Sequence, residues 1–462
     1  MTKIMIGLEV HGYIKTKEKL FCKCKKPSKS DEINTTICPR CTGQPGSKPM
    51  LPNKEALKKV LQLATIFGSD ITKKTYFQRK QYSWPDMPVG YQRTCSGNVT
   101  PNGVGGEFMG IGIEEIHLEE DPAAWDPVSG DVNYNRAGVP LAEIVTKPEF
   151  KSTEELRAWL KELILVASYI DAIDPEYNIK SDVNVSIEDS GYSRVEIKNV
   201  NSFTNIVKCA EAEVRRQKEL VAKGEKISQE TRRYNEELDT TEFMRGKENA
   251  DAYMFVPEPD LPNLIIEDSF IEEIKASIPE LPQEKREKYS KFDLTDEDVE
   301  VLVSNKYLAE LFEYGLNKKL NPKEVGLFLR REILRVLNYN KATFKDLEQK
   351  NIKSEISILL ELLSSEKISY TTAQKIIEKL FEEKFDVEEY IKDNNLAQVN
   401  DDSLIEELVL KALKEAPKAV EDYKQGNTKS LNFVVGIVMR ETKGTAKPQT
   451  VNKIMLKKVK EL

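Results

Sequence analysis

Histidine is nearly absent from this sequence: only His11 and His117 occur in 462 residues, so each position is informative. No apolar run approaches the roughly 18–20 residues of a membrane-spanning helix. The opening MTKIMIGLEVHGYIK lacks the apolar core of a secretory signal, so a soluble, cytoplasmic protein is expected. No Walker-type loop or GxGxxG precedes a helix, which argues against the common glycine-loop nucleotide folds. Repeats and low-complexity segments are also missing. A basic excess is absent too, since the net charge is −8. That sum hides an asymmetry: residues 423–462 hold nine Lys/Arg against two Glu. A basic tail on an acidic body is expected of an RNA-contacting arm, and equally of a solvated Lys-rich helix. A hydrophobic content of 39% supports a sizeable core, and the length fits about two to four domains.

What is present is period-two alternation. In 182–203 the apolar Val183, Val185, Ile187, Val195 and Ile197 alternate with polar residues around Asp189-Ser190-Gly191, which predicts a β-hairpin. Its other face carries Asp182, Asn184, Arg194, Glu196 and Lys198, oxygen ligands beside cations, as Mg²⁺ and a polyphosphate require. A merely solvated face has the same pattern. Two further strands share it. Ile4, Ile6, Leu8 and Val10 alternate with Glu9 and His11, and Ile116 and Leu118 alternate with His117 and Glu119, with Glu120 and Asp121 at the strand end. Clustered acids beside apolar strands are costly unless cations neutralise them. Glu9, His11, His117, Glu119, Glu120, Asp182, Asn184 and Glu196 therefore form a candidate constellation, suited to one or two Mg²⁺ ions and ATP phosphates.

Four of the six cysteines fall in two close pairs, Cys22-Lys23-Cys24 and Cys38-Pro39-Arg40-Cys41. In a cytoplasmic protein this spacing predicts a closed, structural Zn²⁺ site rather than disulfides. Residues 77–92, FQRKQYSWPDMPVGYQ, are expected as a shaped loop in which Arg79 and Lys80 can meet phosphate and Tyr82 or Tyr91 can stack or pack, or else as a Pro-pinned surface loop. Arg136 is a further phosphate or carboxylate anchor. Helices are expected over 54–67, 152–170 (with Ser152 and Glu155 as a capping box) and from 203 to 222. After Pro279 and Pro282 the pattern turns helical, with starts near Thr295 and Pro322. The class is α+β, with a largely antiparallel sheet and helices first and helices alone afterwards.

The motifs IGLEVH, FCKC with CPRC, PDMPVGYQ, IHLEED, YNRAGVPLAEIV, DVNVSI, EIKNVNSF, QETRRYNE, MRGKE and PEPDLP occur in this order. The series resembles the B subunits of the bacterial and archaeal glutamyl/aspartyl-tRNA amidotransferases, the GatB family, over almost the whole chain. LNFVVGIVMRETKGTAKP is similar to the family's tRNA-binding tail, shared with YqeY proteins. The large synthetase-like insertion of the paralogue GatE is missing. The resemblance implies a catalytic cradle domain over 1–285 with a zinc insert at 22–41, a helical domain over 286–400 and a YqeY-like tail over 401–462. It implies ATP- and Mg²⁺-dependent phosphorylation of the side-chain carboxylate on Glu-tRNA(Gln) or Asp-tRNA(Asn). Ammonia from a GatA-like amidase then displaces the phosphate, and a small GatC-like subunit clamps the two.

Carried over motif by motif, Glu9, His11, Glu119, Glu120 and Asp182 are the implied metal and phosphate residues, with Asn184, Glu196 and Lys198 beside them and His117 behind. Lys80, Tyr82, Arg136, Lys180 and Ser186 are implied at the ATP and substrate site, and Lys424, Lys429, Arg440, Lys443 and Lys447 at tRNA. The chain departs from the family pattern in three places. Pro122-Ala123-Ala124 stands where Ala-Gly-Lys is usual, Lys180-Ser181 where Arg-Cys is usual, and Ala252-Tyr253-Met254-Phe255 where DYRYF is usual. Lys180 is expected to restore the lost positive charge. A specialised paralogue, a zinc-containing RNA-binding protein without kinase activity and, more distantly, a metal-dependent phosphodiesterase are the alternatives.

Overall fold

The computed structural model describes residues 2–82, 84–96, 101–246, 254–398, 402–425, 427–442 and 445–461. The chain divides into two compact units, Met1–Leu281 and Pro282–Leu462.

Among the described residues, the first unit is built on a sheet of thirteen strands. Its main strands are β1 (Ile4–Tyr13), β2 (Gln78–Gln81), β3 (Tyr91–Thr94), β4 (Ile111–Glu120), β5 (Pro140–Thr146), β6 (Lys180–Ile187), β7 (Val195–Asn201), β8 (Glu230–Asn235), β9 (Thr240–Gly246) and β10 (Met254–Pro257). They lie in the order β9-β8-β7-β6-β1-β5-β4-β3-β2-β10. Neighbours on this path are antiparallel except β7 and β8, which are parallel. That parallel pair is joined through the helix Phe203–Ala222, because a parallel connection needs a crossover. The α+β class and the largely antiparallel sheet agree with the sequence reading.

Alternation sets the layers. Ile6, Leu8, Val10, Ile116, Leu118, Ala142, Ile144, Val183, Val185, Val195 and Ile197 are all buried and share one apolar cluster. Helices α1 (Lys54–Ile66), α2 (Thr153–Tyr169) and α3 (Phe203–Ala222) bring Val60, Leu61, Leu160, Leu163, Ile206 and Ala210 to that cluster. The opposite face of the central strands is thereby left to the polar residues of the same alternation. Asn53 caps α1 by accepting from the Glu55 and Ala56 amides. Ser152 caps α2 by accepting from Glu155 N, but the Glu155 carboxylate takes Lys151 N at 2.7 Å, so the expected reciprocal box is not closed. Residues 77–92 are not simply a loop: β2 and β3 pair across the Pro-containing turn, with Arg79 opposite Arg93.

The second unit is helical. Asp296–Val303 starts on a Thr295 capping box. The helix expected from Pro322 runs as Pro322–Phe328 and Leu334–Tyr339, joined by a π turn at Leu329–Ile333. Near the end of the chain Ile405, Val409, Val434, Val438, Val451 and Val459 share an apolar cluster of their own. Among the described residues no helix is long and apolar enough to cross a membrane.

Candidate active site

Strand register gathers the polar face. On β1, Glu9 lies opposite Asp182, and His11 lies opposite both Lys180 and Glu143. Glu143 in turn faces His117 on β4, and Asn184 faces Glu196 on β7. A bulge between Ser181 and Val183 shifts the β6–β7 pairing at Asp182. Residues from distant stretches of the chain thus meet on a surface fixed by backbone ladders.

Two carboxylate groups result, each with its ligand atoms within 4.8 Å of one another. The first is His11, Glu119 and Glu143. His11 Nε2 lies 3.3 Å from Glu143 Oε2 and 3.8 Å from Glu119 Oε1. Burial opposes charge on His11, but Glu143 and Glu119 overcome it and push its pKa up to about 9. Burial likewise opposes ionisation of Glu143, yet the two histidines hold it well below the usual carboxylate range. Glu119 is shifted upward by burial and by Glu143, against His11 and Lys80. The second group is Glu9, Asp182 and Glu196. Lys198 Nζ sits 2.8 Å from Asp182 Oδ2 and 3.2 Å from Glu196 Oε1, and the Asn199 amide donates to Asp182 Oδ1 at 2.8 Å. Asn184 Nδ2 donates to Glu9 Oε1 at 3.3 Å. Burial, then Asp182 and Glu143, raise the Glu9 pKa.

The donor set fits hard cations. It is mostly carboxylate oxygen, and the acids outnumber the cations that face them. Among the described residues, Glu119 Oε2 and Asn184 Oδ1 are buried with no hydrogen-bond partner, so each has an acceptor to offer.

The other expected residues separate into those near this face and those elsewhere. His117 is fully buried, with Nε2 2.9 Å from Glu143 Oε2 and Nδ1 3.2 Å from Glu115 Oε1. Nε2 is hydrogen-bonded to Glu143 and Nδ1 lies within ion-pairing distance of Glu115, so His117 orients Glu143 and stands outside the two groups. Glu120 also stands outside them, because successive residues on a strand point to opposite sides. Its Oε1 accepts from Arg93 N and Arg93 Nη1, each at 3.0 Å. Ser186 lies on the Asp182–Asn184 side of β6, opposite Met5. Lys80 is half-buried and acts electrostatically on Glu119, and Tyr82 is half-buried just beyond β2. Arg136 Nε pairs with Asp121 Oδ2 at 2.8 Å, and its Nη2 donates to Ala123 O at 2.6 Å, in the segment that departs from the family pattern. Lys180 Nζ lies 5.4 Å from the Tyr13 ring centroid, with its pKa lowered by burial.

Sequence reasoning missed Glu143, although it is the only charged residue in β5. It also missed a second ionic cluster. Glu258, 4% exposed, accepts from Arg79 Nη2 at 2.7 Å and from Arg93 Nε at 2.9 Å. No local signal joins residues 79, 93, 120 and 258.

The four cysteines converge: Cys22, Cys24, Cys38 and Cys41 bring their sulfurs within 4.8 Å of one another, and all are free thiols. Cys38 Sγ and Cys41 Sγ are 3.9 Å apart. Tetrahedral zinc with Zn–S near 2.3 Å needs sulfurs about 3.8 Å apart, so the cluster fits that ion. The Cys22 thiol, bonded to Cys41, is pushed up, and Cys41 is correspondingly lowered to about 5. In the tail, Arg440 is exposed in the last turn of Asn432–Glu441, and Lys447 is ion-paired with Glu366. Lys443, Ala252 and Tyr253 lie outside the described residues, as do the side chains of Lys424 and Lys429.

Comparison with known proteins gives the setting. Residues 4–272 match the GatB/GatE catalytic domain, and residues 310–459 match the GatB domain. The B subunit of the aspartyl/glutamyl-tRNA(Asn/Gln) amidotransferase of Methanocaldococcus jannaschii is 41% identical over 466 residues, spanning 98% of this chain and 97% of that protein. The protein of the same name from Methanobrevibacter smithii is 42% identical over 454 residues, spanning 98% of this chain and 99% of that protein. With family matches across both of its units and relatives along nearly its full length, the chain belongs to the GatB/GatE family.

Proposed function

We propose that the chain is the B subunit of a tRNA-dependent amidotransferase, a ligase that turns Glu-tRNA(Gln), Asp-tRNA(Asn) or both into the amidated form. The observation that carries this is the pair of carboxylate groups on one sheet face, with buried acceptors left over. A side-chain carboxylate oxygen of the charged tRNA attacks the γ-phosphorus of ATP, and ADP leaves. Ammonia nitrogen then attacks the acyl carbon, phosphate leaves and a proton is lost, giving the amide. Such chemistry asks for positioning and charge neutralisation more than for a covalent partner. His11, Glu119 and Glu143, and Glu9, Asp182 and Glu196, would hold Mg²⁺. When bound, magnesium supplies neutralisation of the phosphoryl oxygens. Lys198 fixes the Asp182 carboxylate, and His117 fixes Glu143. Lys80, Arg136 and Lys180 supply positive charge toward anionic substrate groups, with Lys180 standing in for the usual arginine. Zinc at the four cysteines would staple the 22–41 segment to the sheet.

Ammonia would come from a GatA-like amidase, with a GatC-like small subunit completing a cytoplasmic complex. Residues 401–462 would form a separate tRNA-binding domain. Lys447 would exchange its contact with Glu366 for phosphate.

The reading is tested by supplying the complex with glutamine, ATP and Mg²⁺ and analysing the amino acid released from each charged tRNA. Glutamine or asparagine formed only with ATP is expected. Tight tRNA binding without amide on either substrate would overturn the reading. Lys180→Ala should lower ATP-dependent turnover, and unchanged turnover would remove that residue from the site.

A further inference from the structure

Lys19 is 1% exposed. Lysine is almost never so buried without a charged partner, yet among the described residues no carboxylate lies within ion-pairing distance of it. Its ammonium instead donates to Cys41 Sγ at 3.5 Å and to the Tyr134 carbonyl at 3.3 Å. The backbone holds it there. Lys19 N donates to Cys24 O at 3.0 Å, closing the loop that carries the first cysteine pair, and Leu20 N donates to Gly138 O at 2.8 Å. Gly138, at φ +79°, lies directly over the contact: a Cβ added there would stand 3.8 Å from Cys41 Cβ and 3.9 Å from Lys19 Cδ. Cys41 also receives the Cys38 amide at 3.1 Å.

We infer that Lys19 is the internal counter-cation of the four-cysteine site, a positioning residue that holds Cys41 as a zinc-ligating thiolate. This rests on the reading of the cysteines as a zinc site. Zinc with four thiolates carries a net charge of −2, which is costly to bury unless nearby positive charge or N–H donors offset it. Lys19 supplies both from within the same loop, to one sulfur of the four. The site is therefore asymmetric: Cys41 accepts a backbone amide and an ammonium, while Cys24 is only half-buried.

The test uses the full chain loaded with Zn²⁺ and, separately, with Co²⁺. Transfer of zinc to a coloured chelator should be about tenfold faster or more in Lys19→Met than in wild type, the usual size of an outer-shell loss. Lys19→Arg should stay close to wild type. Lys19→Gln, which keeps N–H donors but not the charge, should fall between. In the cobalt form, the thiolate-to-metal band of Lys19→Met should move to lower energy, because Cys41 becomes more electron-rich, and Lys19→Arg should restore it. A wild-type release rate and cobalt spectrum in Lys19→Met would overturn the inference and leave Lys19 as a partner of Tyr134 alone. If Lys19→Met fails to fold, a wild-type rate in Lys19→Gln overturns the role of charge. A wild-type chain that takes up neither metal would overturn the zinc reading and this inference with it, while amide formation tests the enzyme separately.

Discussion

Two ionic regions of the first unit lie close together along β3 and β4 and are built on opposite principles. Around Glu258, two arginines face two buried glutamates through short, directed hydrogen bonds, with Arg93 bonded to both acids. On the neighbouring face, the carboxylates of residues 9, 119, 143, 182 and 196 meet mainly His11, His117 and Lys198. Acid is in excess there, and buried acceptors remain unused. The first region is complete as it stands. The second, on the proposal made above, would be completed by a cation from outside, with the sheet ladders holding its like charges together against their repulsion. Charge balance, rather than charge density, separates a structural cluster from a functional one.

Substitutions should split the two in opposite directions. Glu9→Gln should reduce ATP-dependent amide formation by about 10³-fold, the scale of losing a charge-stabilising group. Melting of the metal-free protein should stay equal or rise, since Glu9 is held against burial and its acidic neighbours. A large fall in melting temperature would place Glu9 with the structural cluster instead.

Glu258→Gln should do the reverse, costing about 3 kcal/mol of stability through two arginines left without their shared carboxylate. Its pH dependence has a definite sign. Burial opposes the Glu258 charge, but Arg79 and Arg93 hold its pKa below the ordinary 4.5. The stabilisation is therefore present above that ordinary value and lost as pH falls through the lower folded one. Denaturation of wild type and Glu258→Gln should converge in acid, and a difference that stays constant down to low pH would contradict the assignment. Smallest of all, Arg440→Ala should weaken tRNA binding a few-fold and lower the salt slope by about one. Unchanged affinity and slope would remove Arg440 from the RNA contact.

Much of the open face was legible in the sequence because period two is a local signal. It placed Glu9 with His11, His117 with Glu119, and Asp182 with Asn184, each pair on one side of its strand. The same rule should have set Glu120 apart from Glu119, since adjacent strand residues diverge; the acidic run EED obscured this. Glu143 left a readable trace, a single charge in an apolar strand, but its importance comes from standing opposite both His11 and His117. Register between distant strands is decided by tertiary packing, and no local pattern encodes it. The Glu258 cluster was invisible for the same reason, as its partners are separated by up to 179 residues. The β2–β3 pairing was hidden because Gln78–Gln81 is polar throughout and the prolines that follow it read as loop.

The most direct measurement is Mn²⁺ binding by electron paramagnetic resonance on the full chain, with manganese as the spectroscopic substitute for magnesium. Thiolates disfavour this ion, so the cysteines should not compete. Bound Mn²⁺ is expected in wild type and in Glu258→Gln, with occupancy reduced in Glu9→Gln and in Asp182→Asn and lost when Glu119→Gln is combined with either. Binding that survives the combined substitutions, or a wild-type chain that binds none, would contradict the claim that this sheet face is built to hold a cation.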